Sequence, residues 1–303
     1  MVPLDEVSLQ FNPTTLNILN IILGLIVFGV SLNIKVVDFK VLAKSPKPFL
    51  VGVMSQFLLF PALAFLVILL IQPPPSVALG IILVAACPGG NISNFMTLHA
   101  KGNAALSIAM SAFSTALATI MTPFNIAFWG SKIASTDSLM NDVSLDPLEM
   151  FFMILILMLI PLTSGIYISN RFPRFAYKLQ KFMRVFSLTF FGGFIIFGIA
   201  INLKYFYHLK GVVSLSVIGL NALGFLIGYG FSYLMGLKEY DRRAVSIETG
   251  IQNSGLGLIL VFNFFEGLGG MALIAAFWGV WHIIAGLLLS TYWSHRKITI
   301  QTV

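Results

Sequence analysis

Nine long, predominantly apolar runs fill most of this 303-residue chain, at approximately 14–34, 48–71, 76–100, 103–130, 148–169, 185–203, 211–235, 241–264 and 271–293. A helix crosses the hydrocarbon of a bilayer in about 20 residues, and runs of that length with few charges are its signature. Only 10% of residues are charged, against roughly 25% in a soluble domain. A backbone in lipid must satisfy its own polar groups, so the runs read as helices. The expected fold is an all-α polytopic membrane protein with nine transmembrane helices. The stretch Met1 to Pro13 carries Asp5 and Glu6 but no basic residue, so the first run reads as a true span and not as a signal peptide.

The net charge of +7 does not mark a nucleic-acid binder, because the basic residues lie between the apolar runs. With the N-terminus outside, fifteen of the 18 Lys and Arg residues fall on the cytoplasmic side. Only Lys132, Lys204 and Lys210 fall outside. That bias is the expected one for cytoplasmic loops, and losing or adding one span would weaken it. The expected topology is N-out and C-in, in the plasma (inner) membrane. Cys87 is the one cysteine, which excludes disulfide frameworks and cysteine-based metal sites.

Two runs differ from the rest. The third carries Pro88-Gly89-Gly90-Asn91 and then Ile92-Ser93-Asn94. Proline supplies no donor and paired glycines favour non-helical torsions, so the helix should break there. The eighth places Glu248, Thr249, Gly250, Gln252, Asn253, Ser254 and Gly255 in mid-span. Each broken run is followed by a long apolar one (103–130 and 271–293), and the partners lie five spans apart. An odd offset makes them antiparallel, which is the inverted repeat of secondary transporters. The fifth span then lacks a partner, which fits a helix missing at the N-terminus.

Ten of the eleven acidic residues fall in or near connecting segments, and Glu248 alone lies deep in a span. An ionisable group costs several kcal/mol there and is usually functional. Beside unwound carbonyls and side-chain amides it reads as a ligand for a hard cation. The competing reading is a protonated Glu bonded across helices. Gln56 is equally consistent with a ligand and with interhelical glue. Ser107, Ser111, Ser114 and Thr115 stripe one face of the fourth span, a pattern also made by small-residue packing. His99, His208, His282 and His295 have no metal-binding spacing, and no nucleophile elbow or phosphate loop is present. Enzyme readings therefore fail.

Ala86-Cys87-Pro88-Gly89-Gly90-Asn91-Ile92-Ser93-Asn94, Ala100-Lys101-Gly102-Asn103-Ala104-Ala105-Leu106-Ser107 and Glu248-Thr249-Gly250-Ile251-Gln252-Asn253-Ser254-Gly255 together resemble the bile acid:sodium symporter family. Ser55-Gln56-Phe57-Leu58-Leu59-Phe60-Pro61 and Val280-Trp281-His282 add to the match. The resemblance implies two Na⁺ sites. One would use Ser93, Asn94, Ser107, Ser111 and Glu248; the other Gln56, Glu248, Gln252 and the carbonyls of Thr249 and Ile251. It also implies an amphipathic organic anion as substrate, bound near Gly90, Asn91, Asn253, Ser254 and His282. Three departures stand out: Asn91 where Thr is usual, Ile283 where Asn often follows Trp-His, and a start one helix later than in typical bacterial members.

On this reading a core (46–130 and 205–295) holding both broken helices moves against a panel (1–45 and 131–204), with a cytoplasmic tail at 296–303. The expected partners are a small organic anion and membrane lipid, with no nucleic acid. A sodium- or proton-linked antiporter is the nearest alternative, since a lone intramembrane Glu also suits proton exchange. A receptor is more distant, and no ring of charges marks a channel.

Overall fold

The computed structural model describes residues 13–34, 46–90, 92–136, 147–201 and 211–296. Among these the long elements are all helices. They are α1 (Pro13–Ser31), α2 (Pro46–Ile71), α3 (Pro75–Ala86), α4 (Ile92–His99) and α5 (Ala104–Gly130). Next come α6, made of Pro147–Ile154, Leu155–Leu159 and Ile160–Arg171, then α7 (Pro173–Ile201) and α8 (Val212–Leu234). The last three are α9 (Glu239–Gly250), α10 (Ser254–Phe264) and α11 (Gly269–Ser294).

Helices α1, α2, α5, α6, α8 and α11 are long and apolar enough to cross a membrane. The third and eighth runs each divide into two short helices at the expected places, α3 with α4 and α9 with α10. One boundary differs clearly from expectation. The sixth run reads as 185–203, yet α7 already starts at Pro173. Its first turns are amphipathic: Ala176 and Met183 are buried against Leu32, while Arg174, Lys178 and Lys181 are exposed. Hydropathy sees only the basic residues there and misses the helix that carries them.

The exterior is unlike that of a soluble protein. Leu70 is 83% exposed, Leu234 80% and Leu215 70%, whereas Gln56, Glu248, Thr249 and Gln252 are at most 1% exposed. An apolar exterior around a core that encloses a local polar cluster suits lipid as the surrounding solvent.

Proline shapes two of the long helices. In α2 a π-helical turn at Ser55–Leu59 precedes Pro61, and in α6 the turn Leu155–Leu159 precedes Pro161. The ring removes the donor that would have reached four residues back, and the wider turn absorbs the misfit. For Pro61 that stranded acceptor is the Phe57 carbonyl, and Asn125 Nδ2 on α5 donates to it at 3.1 Å.

Around the breaks, α3 packs on α5 and α11, α8 lies along α9, and α10 packs on α11. Helix α1 packs on α6 and α7, and also touches α10. Gly224 and Gly228 let α8 close on α9: a Cβ at Gly228 would stand 2.9 Å from the Ser246 Cα. Arg243, only 2% exposed, donates to the Ala100 and Trp293 carbonyls at 2.8 and 3.0 Å. It thereby ties the C-terminal ends of α4 and α11 to α9.

Candidate functional site

Helix α3 stops because Pro88 follows and Cys87 turns extended, at φ −67° and ψ 156°. Helix α9 stops at Gly250, and Ile251 is extended at φ −101° and ψ 109°. The two extended stretches meet as an antiparallel bridge between Gly89 and Gln252. Gly90 N–H donates to the Ile251 carbonyl at 2.7 Å, and Asn253 N–H to the Pro88 carbonyl at 2.9 Å. These bonds satisfy backbone that lipid could not. Glycine is required at Gly89, where a Cβ would collide with the Glu248 carboxylate. A Cβ at Gly90 would stand 2.9 Å from the Gln252 carbonyl oxygen.

Beside the crossing, Glu248 is completely buried and faces three serines. Ser93 Oγ donates to Oε2 at 2.6 Å, Ser111 Oγ to Oε1 at 2.7 Å, and Ser107 Oγ lies 3.2 Å from Oε2. Asn94 Oδ1 joins them, 2.9 Å from Ser107 Oγ and 3.2 Å from Ser111 Oγ. The group is rich in oxygen and poor in protons. Each serine has one proton to give, so with Glu248 ionised three protons serve six oxygens. Such a cluster suits a hard cation. The serine stripe of α5 divides here: Ser107 and Ser111 face Glu248, whereas Ser114 and Thr115 bond to the Ser111 carbonyl of their own helix.

A second polar group joins α2 to both breaks. Gln56 Nε2 donates to the Cys87 carbonyl at 2.9 Å and to Gln252 Oε1 at 2.8 Å. Gln252 Nε2 donates to the Thr249 carbonyl at 2.7 Å. Gln56 Oε1 is buried and accepts no hydrogen bond from the described residues. The Thr249 and Ile251 carbonyls each hold one donor and keep a second lone pair. A buried amide oxygen without a donor is again a group that a cation would satisfy. Among the described residues no group of three or more His, Cys, Asp or Glu could hold a metal.

Of the residues expected to contact an organic anion, Gly90 is tied to Ile251 in the bridge. Asn253 caps α10, its Oδ1 accepting from Leu256 N–H at 3.1 Å. Ser254 opens that helix and is 7% exposed. Asn91 lies outside the described residues. His282 is buried on α11, and its Nδ1 has no partner among the described residues. One turn further along, a Cβ at Gly286 would press on Met96 and Ile251, so α11 passes directly beside the break.

The structure adds two residues that the sequence reading did not single out. Thr122 Oγ1 donates to the Ala86 carbonyl at 2.8 Å, and Asn221 Nδ2 to the Gly250 carbonyl at 2.7 Å. Both cap the ends of interrupted helices. The repeat pairing offered a signal for Asn221, because it directs attention to amides on the span before each broken one.

Buried polar groups gathered where two interrupted helices cross, inside an apolar exterior, define an integral membrane protein of the secondary-transporter class. The family model described as the sodium bile acid symporter family matches residues 20–209, more than half of the chain. The chain is 33% identical over 279 residues to the sodium-dependent transporter YocS of Bacillus subtilis, covering 92% of this chain and 83% of that one. It is 32% identical over 283 residues to the chloroplastic probable sodium/metabolite cotransporter BASS1 of Arabidopsis thaliana, covering 93% and 68% of the two chains. It is also 30% identical over 237 residues to the mouse P3 protein, covering 77% of this chain and 48% of that longer one. The chain belongs to the sodium bile acid symporter family, and those relatives named for an activity are transporters, not enzymes.

Proposed function

We propose that the protein is a sodium-coupled symporter of amphipathic organic anions, with two Na⁺ sites at the helix crossing. The observation that carries this reading is the completely buried Glu248 carboxylate among the Ser93, Ser107 and Ser111 hydroxyls and Asn94 Oδ1. Those residues form the first site. Gln56, Gln252, Glu248 and the Thr249 and Ile251 carbonyls form the second. The sodium dependence in the name of YocS and the sodium/metabolite cotransport in that of BASS1 support the reading.

Coupling follows from charge. Without a cation, Glu248 is a buried charge compensated only by hydroxyl dipoles, a costly state. Na⁺ at the first site cancels that charge, and at the second it accepts Gln56 Oε1 as a ligand. The crossing is then held in one arrangement. The N-terminal ends of α4 and α10 carry partial positive charge that suits a carboxylate or sulfonate. The anion is placed there, beside Gly90, Asn91, Asn253, Ser254 and His282. Because binding linkage is reciprocal, the anion must also raise the affinity for Na⁺.

Alternating access moves the core (46–130 and 205–295) against the panel (1–45 and 131–204), carrying the crossing between the two faces of a nine-span, N-out protein in the plasma membrane. Helix α1 packs mainly on α6 and α7, and these three meet the rest of the bundle through α5, α10 and α11, where the two parts would slide. The test is a thermal-shift and vesicle-uptake screen of carboxylates and sulfonates, run with Na⁺ or K⁺ at equal ionic strength. Stabilisation by an anion only when Na⁺ is present is the expected result. Uptake that ignores Na⁺ and collapses with a pH gradient would make the protein a proton-linked antiporter instead.

A further inference from the structure

Each broken helix is preceded in the chain by a helix that sends one side-chain amide to the carbonyls of the break. On α2, which precedes the first break, Gln56 Nε2 donates to the Cys87 carbonyl, 31 residues further on. On α8, which precedes the second, Asn221 Nδ2 donates to the Gly250 carbonyl, 29 residues further on. Pairing spans five apart makes α2 and α8 partners, so the two amides hold equivalent places in the repeat. They are alike in environment as well. Gln56 is 1% exposed and Asn221 is fully buried. Each leaves its amide oxygen buried and without a partner among the described residues.

The second break needs an outside hold more than the first. Phe225 packs where a Cβ at Gly250 would stand, so the position must be glycine. Glycine leaves the backbone torsions loosely restrained. The Gly250 carbonyl lies between those of Thr249 and Ile251, so a turn at Gly250 swings the Ile251 carbonyl with it. The Asn221 bond, at 2.7 Å, fixes that peptide. Asn221, Gly224 and Gly228 share one face of α8 by their spacing, the face that closes on α9. The donor is therefore delivered by a tightly packed helix.

We propose that Asn221 is a positioning residue for sodium binding, the second repeat's counterpart of Gln56, which aims the Thr249 and Ile251 carbonyls by holding the one between them. The proposal rests on reading the crossing as a sodium site. It assigns α8 a part in ion binding. A purely structural amide, serving as glue between α8 and α9, would stabilise the protein equally in any salt.

The test uses the full-length protein with Asn221→Ala, Asn221→Leu and Asn221→Ser, where serine stays polar but falls short of Gly250. Glu248→Gln is the control. Thermal unfolding is followed in KCl and across a NaCl titration at constant ionic strength, and Na⁺ activation of uptake is measured in vesicles. For the Asn221 variants the expected result is an unfolding midpoint in KCl close to wild type and a half-saturating Na⁺ concentration raised about tenfold, the loss expected for one buried hydrogen bond. A half-saturating concentration within about twofold of wild type would overturn the proposal. So would failure of all three variants to accumulate, which would make Asn221 a folding residue. If Glu248→Gln keeps the Na⁺-induced shift, the sodium reading of the crossing itself is what fails. If Glu248→Gln loses it and the Asn221 variants do not, only the role of Asn221 fails.

Discussion

The two polar groups at the crossing lie within one bridge of each other and solve different problems. The Glu248 side holds a carboxyl group, and its three hydroxyls supply too few protons for the carboxylate and amide oxygens around them. The Gln56 side is neutral and largely bonded to itself, with Gln56, Gln252 and the Cys87 and Thr249 carbonyls linked in a chain. A charged group must be compensated before it can stay buried, whereas a neutral amide loses only a hydrogen bond when its partner goes. The first group should therefore decide whether a cation binds at all. The second should decide how tightly.

That contrast sets the order of expected effects. Glu248→Gln keeps the shape of the side chain and removes the charge. Sodium-driven uptake should fall about a hundredfold or more, the scale of a lost buried charge interaction, and the thermal shift between NaCl and KCl should vanish. An unchanged shift would erase the distinction between the two sides. Gly89→Ala puts a methyl group against the Glu248 carboxylate. Overpacking of that kind costs about 1–3 kcal/mol, and initial uptake rates should fall about tenfold or more. Gly219→Ala, whose new Cβ meets nothing within 4 Å, should leave uptake near wild type.

On the neutral side, Gln56→Ala should raise the half-saturating Na⁺ concentration about tenfold, with a smaller effect on folding yield. Loss of expression without a change in Na⁺ affinity would mark Gln56 as interhelical glue. Ser111→Ala removes one of three hydroxyls, and a Na⁺ titration should show about a fivefold weakening. Ser111→Thr retains the hydroxyl and should stay within about twofold of wild type. A large loss in that variant would mean that packing at α5, and not the hydroxyl, governs the charged side.

Much of this arrangement was legible in the sequence because its causes are local. Pro88 with two glycines, and Gly250 in a polar stretch, announce broken helices wherever they occur in an apolar run. Glu248 stands out because lipid makes a lone acid expensive. The residues that passed unnoticed act across helices. Thr122 and Asn221 are small polar residues among several in their spans, and nothing near them in the chain shows that a carbonyl 36 or 29 residues away awaits a donor. Arg243 was read as one more cytoplasmic charge, yet it is buried and bonded to the ends of two other helices. The early start of α7 escaped for the opposite reason: its helical signal is amphipathic, and a search for apolar runs is blind to it.

The bridge between Gly89 and Gln252 has one more consequence. Its two hydrogen bonds join main-chain atoms at Gly90, Ile251, Asn253 and Pro88, so their donors and acceptors belong to no particular side chain. The side chains at Asn253 and Ser254, which border the proposed anion position, can therefore be exchanged without cutting the joint. A scaffold riveted through its main chain can be refitted at its side chains while the crossing stays assembled.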